Sequence, residues 1–172
     1  KTKMAPPAAP ANIEATATSN SVTISWNTNR TVISYNVRFN GKVYSTSSTS
    51  ITFSRLTPGT TYDYAVQARN IGGYGAYSAV QTIRTLVNKP AVPKNVSAVS
   101  SLSGVTITWD AVSGADNYDV QFDGKASRVA EGQYKIYLDL QPGTEHTYCV
   151  RANNEGGSSA YSTLGKIKTK TS

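Results

Sequence analysis

One imidazole and one thiol set the limits on what this 172-residue sequence can catalyse. His146 is its single histidine and Cys149 its single cysteine. Any Ser-His-Asp or Cys-His arrangement would have to be built on His146. The two lie three residues apart in a stretch that alternates like a strand, which puts them on opposite faces. Cys149 takes a position occupied by Ala65 earlier in the chain, a small residue on an outward sheet face. A reactive thiol there would need nearby cations to lower its pKa. A lone cysteine excludes an intrachain disulfide and a cysteine-cluster zinc site, and a lone histidine excludes multi-histidine metal centres. Asp110, Asp116, Asp119 and Asp123 are close in sequence but spread over a loop and an outward strand face. They lack the tight Asp-x-Asp-x-Asp-Gly spacing of a calcium loop. Nothing in the pattern builds a cleft for two glycosidase carboxylates about 5–10 Å apart. Gly72-Gly73-Tyr74-Gly75 has no following Lys-Ser/Thr and reads as a hairpin turn, not a phosphate loop. The inventory points to no catalytic residue, no cofactor and no metal.

Charge is the next candidate for function. The 17 basic and 10 acidic residues give a net charge of +7, and the excess is uneven. Residues 1–88 hold 8 bases and 2 acids, residues 89–172 hold 9 and 8. Arg30, Arg38, Arg55 and Arg69 correspond to Ser113, Gln121, Asp139 and Asn153 in the second half. Alternation turns Arg38 and Arg69 outward on adjacent strands, a basic face that can attract a polysaccharide or cell-wall polyanion. No RNP-like or helical reader accompanies it, so nucleic acid is not an expected partner. No apolar run approaches the ~18–20 residues of a membrane span, so no membrane insertion is expected. Aligned exposed aromatics would favour glycan binding. After core and corner assignments, Tyr44, Tyr74, Tyr134 and Tyr137 remain, scattered over both halves. Asn29-Arg30-Thr31 and Asn95-Val96-Ser97 match the glycosylation sequon.

The elements that must carry these residues are repeated. Pro10, Asn12, Trp26, Tyr35 and Gly41 recur 83 residues later as Pro93, Asn95, Trp109, Tyr118 and Gly124. Leu56, Pro58, Gly59, Tyr64, Val66, Gly72, Gly73 and Tyr77 recur 84 later, so one residue enters between Gly124 and Pro142. A period this long, with a tryptophan and a core in each copy, describes two domains. Val22, Ile24 and Trp26 alternate with Thr23 and Ser25, as Val105, Ile107 and Trp109 do with Thr106 and Thr108, the period of a half-buried strand. Asn40-Gly41 and Asp123-Gly124 supply type I′ hairpin turns. About seven short strands per copy, separated by turn residues, predict an all-β fold of two β-sandwiches. In the second copy the strand near residue 136 has two registers open, with Ile136 and Leu138 inward or Tyr137 inward. Proline marks the joints, giving a linker over 1–9, domains over 10–86 and 93–172, and a linker over 87–92.

Pro-x-Asn-(Ile/Val)-x-Ala at Pro10 and Pro93, Trp26 and Trp109, the Leu-x-Pro-Gly-Thr runs and the late Gly-Gly together resemble tandem fibronectin type III domains over residues 10–172. The resemblance implies two seven-stranded immunoglobulin-like sandwiches. It also implies a tyrosine corner at Tyr62, whose hydroxyl bonds back to the preceding turn. His146 stands in that place in the second copy and reaches less far, so a less firmly held corner is expected there. Trp26, Tyr62, Trp109 and His146 are the structural anchors. The Gly-Gly-x-x-Ala-Tyr-Ser endings are similar to copies in secreted bacterial glycosidases and surface proteins, and the Arg-Gly-Asp tripeptide of some members is absent. Under this resemblance the chain is a monomeric, non-catalytic spacer of a secreted or cell-surface protein, orienting neighbouring domains of the same polypeptide. Each sandwich would be on the order of 30 Å long, giving a stiff segment. The alternative is a binding module for polysaccharide or cell-wall polyanion, with Arg30, Arg38, Arg69, Ile71 and Tyr74 as contacts. Lys1-Thr2-Lys3 repeats Lys168-Thr169-Lys170, so those residues are expected to end an upstream domain that packs on Ile71 and Tyr74.

Overall fold

The structure is a computed structural model describing residues 4–28 and 30–171. The sequon residue Asn29 and the Lys1–Lys3 repeat fall outside the described residues. The chain divides into two compact units, Lys1–Val87 and Asn88–Ser172. Every regular element among the described residues is a strand. Unit one holds β1 (Glu14–Ala17), β2 (Ser21–Ser25), β3 (Ser34–Phe39), β4 (Lys42–Thr46), β5 (Ser50–Ser54), β6 (Thr61–Asn70), β7 (Gly73–Tyr77) and β8 (Gln81–Arg84). Unit two holds β9 (Ser97–Ser100), β10 (Val105–Thr108), β11 (Asn117–Phe122), β12 (Lys125–Val129), β13 (Tyr134–Tyr137), β14 (Glu145–Asn154), β15 (Gly157–Ser158) and β16 (Gly165–Lys168).

Each unit is a sandwich of a three-stranded and a larger antiparallel sheet. Unit one pairs β1-β2-β5 against β4-β3-β6-β7, with β8 also on β6; unit two repeats this with β9-β10-β13 and β12-β11-β14-β15, and β16 on β14. The seventh strand expected from sequence is split in both copies. The Ser78 amide donates to the Val66 carbonyl, and the Val66 amide donates to Ser78 Oγ. Ser162 does the same to Val150. The side chain thus replaces one rung of the ladder and breaks the strand. Asn40 and Asp123 stand at φ 47° and 48°, with Gly41 and Gly124 at 76° and 77°. Two consecutive left-handed residues make the type I′ turn, and asparagine or aspartate before glycine accepts it at least cost.

Alternation buries one face of each sheet. Val22, Ile24, Trp26, Tyr35, Val37 and Val66 fill the first core, and Val105, Ile107, Trp109, Tyr118, Val120 and Val150 the second. A three-ring stack closes one end. Phe39 lies on Phe53 at 3.9 Å and on Tyr62 at 5.3 Å. Phe122 lies on Tyr137 at 4.0 Å and on His146 at 5.0 Å. Tyr137 is therefore the inward residue of its strand, and Ile136 and Leu138 face out. That stack also removes Tyr137 from the set of free tyrosines. The last strand is buttoned to the turn before β6 by a buried hydroxyl. Thr85 donates to the Thr57 carbonyl at 2.6 Å and accepts from the Thr60 amide at 2.9 Å. Thr169 does the same with Gln141 and Thr144 at 2.6 and 2.9 Å.

Candidate functional site

Arg38 and Arg69 sit on the outward face of β3 and β6, beside β7. Register sets Ser34 opposite Arg69 and Asn36 opposite Gln67; Arg69 and Gln67 in turn face Tyr74 and Tyr77. Arg38 lies over the Tyr77 ring and Arg69 over the Tyr74 ring, each 5.2 Å from the centroid. A guanidinium on an aromatic face is held by the ring quadrupole and keeps its N–H groups for another acceptor. Neither arginine makes an ion pair among the described residues. Between them runs a neutral chain: Ser45 Oγ donates to Asn36 Oδ1 at 2.7 Å, and Gln67 Nε2 donates to the Gly75 carbonyl at 2.7 Å. Arg30 is exposed on the loop between β2 and β3, off this sheet face.

Ile71 and Tyr74 lie on the β6–β7 hairpin, 80% and 48% exposed. Sequence inspection missed what holds that hairpin. Asn70 is buried; its Nδ2 donates to the Ala5 carbonyl at 2.9 Å and its Oδ1 accepts from the Gly72 amide at 2.7 Å. Pro7 is buried on the same side. The chain passes so close that a Cβ on Gly72 would stand 2.1 Å from the Met4 carbonyl, and one on Gly75 2.0 Å from that of Pro7. Asn154 repeats the clamp in unit two, donating to the Asn88 carbonyl at 2.8 Å and accepting from Gly156. The signal was available, because Asn70 and Asn154, like Thr85 and Thr169, recur at the 84-residue offset.

Unit two satisfies the equivalent face internally. Asp119 replaces Asn36, and it is buried between Arg128 at 3.0 Å and Arg151 at 2.9 Å. Burial pushes its carboxyl up, but the two guanidinium bonds outweigh this and hold it below the usual range. Arg151 also covers the Tyr161 ring at 4.9 Å. The other carboxylates of this group are dispersed. Asp110 accepts from Asn95 Nδ2 at 2.7 Å, and Asp123 goes to the corner described next. Among the described residues no group of three His, Cys, Asp or Glu side chains could hold a metal ion.

Tyr62 accepts the Thr57 amide at 3.0 Å, forming the corner. At His146 the corner is made by different partners. Nδ1 meets Asp123 Oδ2 at 2.6 Å and Nε2 meets Thr144 Oγ1 at 2.7 Å. Asp123 also accepts the Thr147 amide at 2.8 Å. Burial raises its carboxyl; the His146 and Thr147 bonds more than reverse that and lower it. The Asp-His-Thr order resembles a catalytic relay, but the Thr144 hydroxyl donates to the Gln141 carbonyl at 2.6 Å and so is not aimed at a substrate. Cys149 is buried, donates to Gln121 Oε1 at 3.3 Å, and burial pushes its thiol up, away from the reactive thiolate.

Comparison with known proteins adds the context. A model of the fibronectin type III domain matches residues 8–84 and again 91–165. Chitinase A1 of Niallia circulans is 32% identical over 95% of this chain, which spans 26% of that protein. Exoglucanase B of Cellulomonas fimi is 32% identical over 96% of this chain, which spans 17% of it. The tyrosine-protein phosphatase Lar-like of Caenorhabditis elegans is 29% identical over 71% of this chain, which spans 6% of it.

Proposed function

The chain belongs to the fibronectin type III family twice over, and from that premise we propose that it is a non-catalytic accessory module of a larger extracellular or cell-surface protein. Its role is to space and orient the neighbouring domains. One observation carries this reading: two complete domains account for nearly the whole chain, yet the chain is about a quarter or less of each relative. Two of those relatives are named as enzymes of polysaccharide breakdown, which makes a polysaccharide-degrading enzyme one context for the pair. The catalytic possibility is checked with the chain alone. Incubated with chitin or cellulose, it is expected to release no soluble sugar; release that survives repurification would overturn the reading.

The stacked arginines favour a second reading, in which unit one binds a polysaccharide or cell-wall polyanion. Among the described residues Arg38 and Arg69 are presented on tyrosine rings with no carboxylate partner, while on the corresponding face of unit two Asp119 pairs with Arg128 and Arg151. Co-sedimentation with anionic and neutral polysaccharides separates the two readings. Retention that falls with salt and is lost in Arg38→Ala/Arg69→Ala supports binding. Absence of retention argues for the spacer alone, and retention unchanged in that variant overturns the assignment to Arg38 and Arg69.

A further inference from the structure

The two units share most of their inward positions, Phe53/Tyr137 and Tyr62/His146 apart, and differ sharply on the outward face of the three-stranded sheet. In unit one that face carries Thr16-Thr23-Thr52 across one row and Glu14-Ser25-Ser50 across the next. The Thr23 and Thr52 hydroxyls bond each other at 2.9 Å. In unit two the same rows are Val99-Thr106-Ile136 and Ser97-Thr108-Tyr134. Leu138 replaces Ser54 at the end of β13, and Leu102 replaces Ser19 in the turn between β9 and β10. Five hydroxyl-bearing positions have thus become Val99, Leu102, Tyr134, Ile136 and Leu138. All five are exposed, Val99 at 71% and Leu138 at 69%. The fold does not need them, because unit one builds the same sheet from serine and threonine. Together they expose on the order of 500 Å² of apolar side chain, near the top of what a monomer's largest patch shows.

We propose that the outward face of β9, β10 and β13 is a self-association surface that packs on the same face of a second chain. The charges around it select that occupant and its orientation. β9 and β13 both pair antiparallel with β10 and so run in the same direction. Lys94 precedes β9 and Glu131 precedes β13. At the far end Asp139 follows β13, and Lys170 is tied to the end of β9 by its amide bond to the Ser101 carbonyl at 2.9 Å. The β9 side is basic at both ends and the β13 side acidic at both ends, with Lys135 of β13 in the inward register opposite Ile107. Asp110, at the end of central β10, has its carboxylate on Asn95. A two-fold axis along the strands lays β13 over the other chain's β9, setting Glu131 against Lys94 and Asp139 against Lys170. A two-fold across the strands would oppose Glu131 to Asp139 and is disfavoured. The apolar patch with its threonine and serine neighbours approaches the low end of a standard interface, about 600 Å² per partner. A dimer through this face differs from the monomer expected from sequence.

Sedimentation of the full chain across a concentration series tests it. The wild type is expected to shift from monomer to dimer with rising concentration. Val99→Thr/Ile136→Thr/Leu138→Ser installs the residues unit one uses at these places, so the melting transition is retained while association falls at least about tenfold. Asp139→Lys is expected to weaken the dimer, and Asp139→Lys with Lys170→Asp to restore it. A wild type that stays monomeric throughout the series overturns the proposal. So does a triple variant that associates as well as wild type. Failure of the charge swap to restore the dimer overturns the orientation.

Discussion

Single buried hydroxyls hold this fold where its loops meet its strands. Thr85 and Thr169 each donate to one backbone carbonyl and accept one backbone amide in the turn before the long strand. Replacing either with valine keeps the shape and orphans both groups, at a cost of about 1–3 kcal/mol. Denaturant melts read it, with Trp26→Phe or Trp109→Phe leaving one fluorophore to report one unit. The loss is expected in the unit that carries the substitution and not in the other. The corner residues make a complementary prediction. Tyr62→Phe removes the acceptor of the Thr57 amide and destabilises unit one by about 0.5–1.5 kcal/mol. His146→Tyr is expected to destabilise unit two, because a phenol cannot bridge Asp123 and Thr144 together. The sequence suggested the reverse. Folding brings Asp123, 23 residues away, to the imidazole as its second partner.

At the scale of strands, the units differ in how they meet acid. Asp119 and Asp123 occupy the places of Asn36 and Asn40, and both carboxyls are held below their ordinary range. A depressed carboxyl stabilises the fold above its unfolded pKa of about 4, and that contribution is lost as pH falls through the lower folded value. Unit two is therefore expected to lose stability below about pH 4 while unit one, with asparagines there, changes less. Asp123 is half exposed and solvent screens its share, so Asp119 carries most of the effect. Single-tryptophan melts between pH 7 and pH 2 would show two separating transitions; parallel decline of both units would contradict this account. Asp119→Asn should lower stability at neutral pH and flatten the acid response. Much at this scale was legible in the sequence. The Asn-Gly and Asp-Gly turns, the alternating strands around Trp26 and Trp109 and the outward Arg38 and Arg69 follow from period and turn chemistry. The register of β13 did not, since Ile136, Tyr137 and Leu138 are all apolar and alternation cannot choose between them. The stack on Phe122 chooses. Asn70 and Asn154 escape the pattern because polar residues in a strand read as outward, whereas Asn70 is buried and Asn154 half-buried beside the chain segment each clamps.

For the whole molecule, identity between the copies revealed the cores, and difference between them revealed the surfaces. Comparison of equal positions found Trp26 with Trp109. The change from Thr16 and Thr52 to Val99 and Ile136 carries no core signal, and becomes informative only once the face is known to point outward. A non-catalytic spacer acts only within its longer protein, so the decisive measurement is made in that protein. Its activity is compared with the pair intact, deleted, or exchanged for two unrelated sandwiches of equal length. A spacer predicts that deletion impairs function on the natural, extended substrate and that exchange restores most of it. Loss of function that no exchange restores, reproduced by Arg38→Ala/Arg69→Ala in the intact protein, would contradict the spacer and leave unit one as the binding element.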